Sequence, residues 1–323
     1  MTQNLQDAYI VEAVRTPVGK APRGVFRNTR PDDLLAHCLR QLMERQPNVP
    51  AEAIEDTVIG CAMPEAEQGM NVARIAVLLA GLPDRVPAMT INRFCSSGVQ
   101  AVALAADQIR TGAADLTIAG GTETMSMVPM MGHKVAMNPA IFQDENVGIA
   151  YGMGITAEKV AERWEVSREA QDAFAFESHR RALAAIEAGH FESEIAPYEV
   201  REAVPDLTTG AVREVTRQVA VDEGPRADTS AERLATLRPV VRAGGSVTAG
   251  NSSQMSDGAG ALLLASGAAV ERYDLEPLAR FVGFAVAGVE PEVMGIGPIA
   301  AIPRALAKAG LTVNDMDWIE PVS

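Results

Sequence analysis

Residues 32–60, DDLLAHCLRQLMERQPNVPAEAIEDTVIG, predict an amphipathic helix, a short loop and an acidic-to-apolar lead into a buried strand. The same plan returns in residues 297–320, GPIAAIPRALAKAGLTVNDMDWIE. Self-similarity of this kind indicates a duplicated α/β unit. The first copy continues past Gly60 through another helix and two more strands, whereas the second stops at Ser323. We therefore expect two related halves, the second of them incomplete.

Strand-like and helix-like segments alternate around the first copy. Predicted strands cover 8–13, 54–61, 88–92 and 115–121, and predicted helices cover 31–45, 71–80 and 96–110. This alternation predicts a parallel sheet with helices on both faces.

The pattern changes at Met125, where MSMVPMMGHKVAMNP (125–139) has no clear period. Two helices are predicted next, over 156–164 and 167–187, the second with Ser167 as its N-cap. The α/β pattern resumes at 246–251, 257–266 and 278–289. The predicted domains are a first half over 1–124 and 246–275, an inserted loop domain over 125–245, and an incomplete second half over 276–323.

Composition excludes several classes of function. The net charge of −14 over 323 residues opposes binding to nucleic acid or anionic lipid, and no basic cluster compensates for it. No apolar run reaches the roughly 18 residues of a membrane span, and the N-terminus lacks the pattern of a secretory signal. The three cysteines form no CxxC pair. That count fits a reducing compartment, so we expect a cytoplasmic protein without disulfides or a cysteine-rich zinc site.

Cys95 is the first candidate for chemistry. It lies in TINRFCSSGVQAVALAADQI, after an apolar strand and at the first turn of a helix of small residues. The free N–H groups and partial positive charge of a helix N-terminus stabilise a thiolate and a developing oxyanion. Cys95 is therefore placed to be a nucleophile. Position alone leaves a buried structural cysteine as the alternative.

Other motifs are less specific. SVTAGNSSQMSDGAGALLLA (246–265) suits either a loop that approaches a ligand closely or an ordinary turn, and composition does not choose between them. The glycine pairs Gly120-Gly121 and Gly244-Gly245 predict tight turns, because they lack the spacing of a phosphate-binding fingerprint. The four histidines show no metal-ligand spacing, and none is an obvious base for Cys95.

Several segments together resemble the thiolase family, most closely the 3-ketoacyl-CoA thiolases. The resemblance covers residues 7–320 and rests on segments that occur in the family's order: NRFCSSGVQA (92–101), AGGTETMS (119–126), GMGITAEKVA (152–161), SREAQDAFA (167–175), TAGNSSQMSDGAGA (248–261) and VMGIGP (293–298). The resemblance implies a five-layered α/β/α/β/α fold of two duplicated halves, with a loop domain inserted in the first.

The implied reaction belongs to fatty acid metabolism and cleaves a 3-ketoacyl-CoA with coenzyme A. Cys95 matches the cysteine that forms the acyl-thioester intermediate, and its own N–H would be one oxyanion donor. By resemblance Ser253 contacts the pantetheine arm, Met153 and Met294 line the tunnel for the acyl chain and pantetheine, and Arg226 lies beside the nucleotide end of CoA. Taken alone, the two methionines would be assigned to the core and Arg226 to the surface. Coenzyme A is then a substrate, with no covalently bound cofactor and no metal, and the family implies a homodimer or homotetramer.

The sequence also departs from the family. It lacks the Asn-Glu-Ala-Phe segment, the Gly-His-Pro histidine and the Cys-x-Gly cysteine, so we expect a C-terminally truncated chain of doubtful activity by itself. Two alternatives stay open. One is a biosynthetic acetoacetyl-CoA thiolase, and the other is a non-catalytic CoA-binding or interaction remnant, whose lost strands would leave apolar sheet surface exposed.

Overall fold

The computed structural model describes residues 5–320, so Ser323 and the outermost limits of the predicted halves lie outside its range. The chain divides into two compact units. The first comprises residues up to 134, 191–224 and 254–281, and the second comprises 135–190, 225–253 and the residues from 282 onward. The domain limits drawn from sequence differ from these units and stay a prediction.

The first unit is built on a mixed sheet. Its strands are β1 (Ala8–Arg15), β2 (Gly19–Lys20), β3 (Asp56–Gly60), β4 (Met89–Ile91), β5 (Leu116–Thr124), β8 (Ser256–Ser266) and β9 (Ala279–Arg280). They lie in the order β4-β3-β5-β8-β1-β9, with β2 paired to β8. A separate ribbon joins β6 (Tyr198–Pro205) to β7 (Val212–Val219) in antiparallel register. The helices of this unit are α1 (Pro31–Arg45), α2 (Val72–Leu79), α3 (Ser97–Arg110) and α7 (Gly267–Tyr273).

The prediction of a parallel sheet is wrong for four of the six strand pairings that the structure describes in this sheet, which are antiparallel. β3 runs parallel to β4 and β5, as the strand–helix alternation predicts. β8 runs antiparallel to both β5 and β1, and so enters the sheet from the opposite end. The segment that connects β5 to β8 is long enough for β8 to run in either direction. The hydrophobic pattern of β8 itself therefore could not predict its direction.

Helices cover both faces of the sheet, as predicted. Successive residues of a strand point to opposite faces, so Ile118 and Leu263 join the core beneath α1 and α2, while their neighbours Ala119 and Leu264 pack under α3. α1 contributes four fully buried leucines to its side: Leu34, Leu35, Leu39 and Leu42. α3 meets the other face with small side chains, so its backbone can approach the strands closely.

Glycine allows two strands of this sheet to approach each other closely. Gly120 and Gly121 do not form the predicted turn but lie inside β5, because the strand continues to Thr124 opposite β8. A Cβ at Gly120 would clash with the carbonyl oxygen of Gly260 on β8. The glycine pair therefore serves strand packing rather than chain reversal.

The second unit is helical among the residues described. It contains α4 (Met153–Arg163), α5 (Arg168–Glu187), α6 (Ala231–Ala235) and α8 (Gly297–Ala309). As predicted, Ser167 caps α5, its Oγ accepting a hydrogen bond from the N–H of Ala170 at 3.2 Å. Short 3₁₀ turns cover 139–142, 147–150, 291–296 and 313–315.

The repeat is present as a helix followed by a 3₁₀ turn. α1 precedes a turn at Ala51–Ala53, and α8 precedes one at Val313–Asp315. The two copies differ in burial, because eight residues of α1 are buried and α8 has none. The strand expected over 278–289 is reduced to β9, since only Ala279 and Arg280 pair with β1 and no ladder forms over 281–290.

Candidate active site

Cys95 lies in a strained turn between β4 and α3. Phe94, directly before it, has a φ of +46°, a left-handed conformation that bulky residues rarely adopt. Side chains on either side hold this turn. The Oδ1 of Asn92 accepts a hydrogen bond from the Phe94 N–H at 2.7 Å, and the Oγ of Ser97 accepts one from the Arg93 N–H at 2.8 Å. Ser97 also donates to the Phe94 carbonyl at 2.6 Å, so the cysteine follows a tightly braced peptide.

The start of α3 is pressed onto the sheet beneath it. A Cβ added to Gly60, the last residue of β3, would lie 2.5 Å from the carbonyl carbon of Ser97 and 2.7 Å from the nitrogen of Gly98. Only glycine leaves room for that contact. The first turn of α3, and Cys95 just before it, therefore take their position from the end of β3.

The three cysteines differ sharply in accessibility. Cys38 and Cys61 are buried, and burial raises the pKa of each thiol to about 12. Cys95 is exposed. The alternative of a buried structural cysteine is therefore wrong for Cys95, and nucleophilic chemistry is open to this thiol.

A shallow depression borders the same turn. It has a volume of about 340 Å³ and is lined by Pro64, Asn71, Met89, Thr90, Ile91 and Asn92. Asn92 belongs both to this depression and to the bracing of Phe94.

The other four candidate residues belong to the second unit, whereas Cys95 belongs to the first. Met153 is the first residue of α4, and Met294 lies in the 3₁₀ segment Pro291–Ile296 that packs against α4. Ion pairs join the two elements, from Arg163 to Glu290 at 2.7 Å and from Lys159 to Glu292 at 3.5 Å. Met153 and Met294 are 44% and 42% exposed, so neither is the core methionine that the sequence alone would favour.

Arg226 and Ser253 are also at the surface. The Arg226 guanidinium pairs with Asp228 at 2.9 Å, and its backbone N–H donates to Nδ1 of His179 at 3.2 Å. Ser253 follows the loop over 246–251 and is exposed.

Two carboxylates that sequence reasoning missed shape this loop. Glu158, on α4, is 3% exposed and accepts hydrogen bonds from the N–H groups of Ser246 and Val247, each at 2.9 Å. Burial acts to raise the pKa of Glu158, but the hydrogen bonds from Val247 and Ser246 outweigh it and hold the pKa below its ordinary value.

Asp172, on α5, accepts from the side-chain amide of Asn251 at 2.9 Å, and Asn251 accepts from the Thr248 N–H at 2.7 Å. Glu158 and Asp172 lie inside two of the segments that carry the thiolase resemblance. That position was the one feature of the sequence that could have marked them as functional. Loop 246–251 is therefore held in a fixed conformation by hydrogen bonds to these two carboxylates, and it is not an ordinary turn.

The described residues lack the features of two other kinds of site. Within residues 5–320, no group of three or more His, Cys, Asp or Glu side chains is arranged to hold a metal ion. Over the same residues, every helix is too short or too polar to cross a membrane.

Comparison with known proteins identifies the family. The thiolase N-terminal domain matches residues 8–268, and the thiolase C-terminal domain matches residues 275–322. The 3-ketoacyl-CoA thiolase of Bacillus subtilis (strain 168) is 49% identical over 318 residues, covering 98% of this chain and 80% of the relative. The enzyme of the same name from Cronobacter sakazakii is 44% identical, with coverages of 98% and 79%.

Solved structures of thiolase-family enzymes have the same fold as this chain. Bacillus anthracis acetyl-CoA acetyltransferase aligns with a TM-score of 0.84 at 36% identity, covering 98% of this chain and 79% of that one. Human mitochondrial 3-ketoacyl-CoA thiolase aligns with a TM-score of 0.84 at 35% identity, with coverages of 97% and 79%. The fold is thus the mixed α/β thiolase fold, and this chain belongs to the thiolase family. The resemblance inferred from the sequence is confirmed.

Proposed function

We propose that this protein is a coenzyme-A-dependent acyltransferase of the 3-ketoacyl-CoA thiolase type. One observation carries the proposal: a chain of the thiolase family presents one exposed thiol, Cys95, in a braced turn before helix α3, whose inner face packs on the sheet. The relatives from Bacillus subtilis and Cronobacter sakazakii bear the name of this activity at 49% and 44% identity.

The proposed reaction has two halves. The Cys95 thiolate attacks the C3 carbonyl carbon of a 3-ketoacyl-CoA, and the C2–C3 bond then breaks. The bonding electrons pass to C2 as the enolate of acetyl-CoA, which takes up a proton, while the acyl group stays on the Cys95 sulfur as a thioester. The thiolate of a second coenzyme A attacks that thioester and releases a shortened acyl-CoA and free Cys95. N–H donors at the start of α3 would stabilise the oxyanion of each addition.

The four residues of the second unit are proposed to bind coenzyme A. Met153 and Met294 offer half-exposed apolar surface to the acyl chain and pantetheine, and Ser253 offers a hydroxyl to the pantetheine amides. Arg226 is proposed to meet the nucleotide phosphates. Its partner Asp228 is itself exposed, and exposed ion pairs contribute only about 0–1 kcal/mol, so a phosphate can displace it. Coenzyme A is then a substrate, and no resident cofactor is proposed.

We also propose a homodimer through the first unit. β4 forms the edge of the sheet, and apolar side chains crowd that edge, with Met70 94%, Phe94 63% and Met89 38% exposed. An apolar edge strand is a template for pairing with another chain. Sedimentation should therefore give twice the chain mass. A tetramer would need a further contact surface.

We also propose a cytoplasmic location, because all three cysteines are free thiols.

Purified protein given acetoacetyl-CoA and coenzyme A tests the activity. The absorbance of the 3-keto ester should fall, and intact mass after acetyl-CoA alone should show one acetyl group on Cys95. Cys95→Ser, which is nearly isosteric, is the control and should abolish both signals. If the wild type shows neither turnover nor acylation, the proposed function is refuted. A profile of kcat/KM against acyl chain length separates a degradative thiolase from an acetoacetyl-CoA thiolase.

A further inference from the structure

A half-buried carboxylate lies behind the Cys95 turn and has no place in the reaction just described. Glu123 is near the end of β5 and faces the segment that follows β3. Its Oε2 accepts a hydrogen bond from the Ala62 N–H at 2.6 Å. Its Oε1 accepts from the Met63 N–H at 3.3 Å and from Nε2 of Gln68 at 2.5 Å. Three donors thus converge on one carboxylate.

Gln68 completes this arrangement. Its side chain is fully buried, and its amide also donates to the Met63 carbonyl at 2.8 Å and accepts from the Thr124 N–H at 2.6 Å. Together Glu123 and Gln68 fix the backbone of Ala62 and Met63 against the end of β5.

Asn92 links that backbone to the candidate nucleophile. Its Nδ2 donates to the Ala62 carbonyl at 3.0 Å, while its Oδ1 accepts from the N–H of Phe94 at 2.7 Å. The Asn92 side chain is therefore held at both ends. A series of hydrogen bonds runs from Glu123 through Ala62 and Asn92 to the strained peptide directly before Cys95.

We infer that Glu123 is a positioning residue for Cys95, acting through Ala62 and Asn92 to hold the thiol at the amino end of α3. The inference rests on the proposed role of Cys95. Burial raises the pKa of Glu123, and hydrogen bonds from Ala62, Gln68 and Met63 only partly offset that effect. An apolar residue would fill this space at lower cost if packing were the sole requirement. Charge-assisted bonds instead give the turn a fixed geometry.

Alkylation of Cys95 by iodoacetamide tests the inference without any coenzyme A ester. Glu123→Gln keeps the shape but turns an amide NH₂ toward N–H donors, so the Ala62 turn and then Asn92 should shift. A thiol moved away from the helix N-terminus loses the N–H donors that assist its attack, and its alkylation rate at a fixed pH should fall about fivefold. Glu55→Gln is the matched control. Glu55 accepts from the N–H groups of Asp115 and Leu116 at 2.5 and 3.3 Å, at the opposite end of β5, and its variant should react at the wild-type rate.

Asn92→Ala removes the hydrogen bonds from Asn92 to Ala62 and Phe94 and leaves the Glu123 contacts intact. This variant therefore still tests the inference if Glu123→Gln folds poorly. It should slow alkylation by a similar factor, and the double variant should be no slower than Asn92→Ala alone, because both changes break one series of bonds. Wild-type alkylation in Glu123→Gln, multiplied effects in the double variant, or an equal loss in Glu55→Gln would each overturn the inference. Failure of thiolysis in the wild type would count against the proposed function and leave this result unaffected.

Discussion

Gly60→Ala should damage the candidate active site through one added methyl group. In the wild type, a Cβ at this position would lie 2.5 Å from the Ser97 carbonyl carbon and 2.7 Å from the Gly98 nitrogen. Carbon atoms pack comfortably at about 3.5–4.0 Å, so the first turn of α3 must move away by about 1 Å. Both contacts are backbone atoms, which cannot relax by changing rotamer.

The expected cost follows from this displacement. Overpacking a core typically destabilises a protein by about 1–3 kcal/mol. A misplacement of about 1 Å at a reacting group can lower a rate by about 100-fold. The free energy of unfolding should therefore fall by about 2 kcal/mol. Acetyl transfer from acetyl-CoA to Cys95 should slow by at least about tenfold.

Two measurements check this prediction together. Urea denaturation followed by circular dichroism gives the change in stability, and the time course of intact mass gives acylation. Gly98→Ala is a matched control in the same helical turn, because a Cβ there meets nothing within 4 Å and alanine favours a helix over glycine by up to about 1 kcal/mol. It should keep or raise stability. If Gly60→Ala unfolds at the wild-type midpoint and is acylated at the wild-type rate, the positioning of Cys95 by β3 is refuted.

Three further predictions concern the described side chains. Iodoacetamide should label only Cys95 in the native protein and all three cysteines in urea, because burial raises the pKa of Cys38 and Cys61 to about 12; rapid native labelling of either would contradict their burial. Glu158→Gln should lower stability at neutral pH by about 1–3 kcal/mol, because its buried hydrogen bonds to loop 246–251 are lost. The folded-state pKa of Glu158 is depressed, so its contribution is present above the ordinary value of 4.5 and is lost as pH falls through the folded pKa. Urea midpoints for wild type and variant should therefore converge in acid, and a constant gap would refute this account. Arg226→Ala should raise KM for coenzyme A about tenfold with kcat little changed, as one lost phosphate contact predicts; an unchanged KM would remove Arg226 from the proposed site.

The sequence predicted several helices of both units well because their signals are local. The amphipathic period of α1 comes from neighbouring residues, and so does the N-cap of α5 at Ser167. The same holds for Cys95, which the structure places immediately before Ser96, the N-cap of α3. Strand direction has no such local signal, and the antiparallel course of β8 was therefore missed.

The amino-acid sequence by itself determined the family, the order of the elements and the cysteine at the start of α3, because short-range periodicity and ordered motifs encode all three. Only the tertiary structure decided what holds that cysteine and the loop before Ser253 in place. Glu123 meets Ala62 across 61 residues of sequence, and Glu158 meets Ser246 across 88. The partners of a buried carboxylate are chosen by folding, which brings distant N–H groups within hydrogen-bond reach, and no local pattern in the chain records that choice.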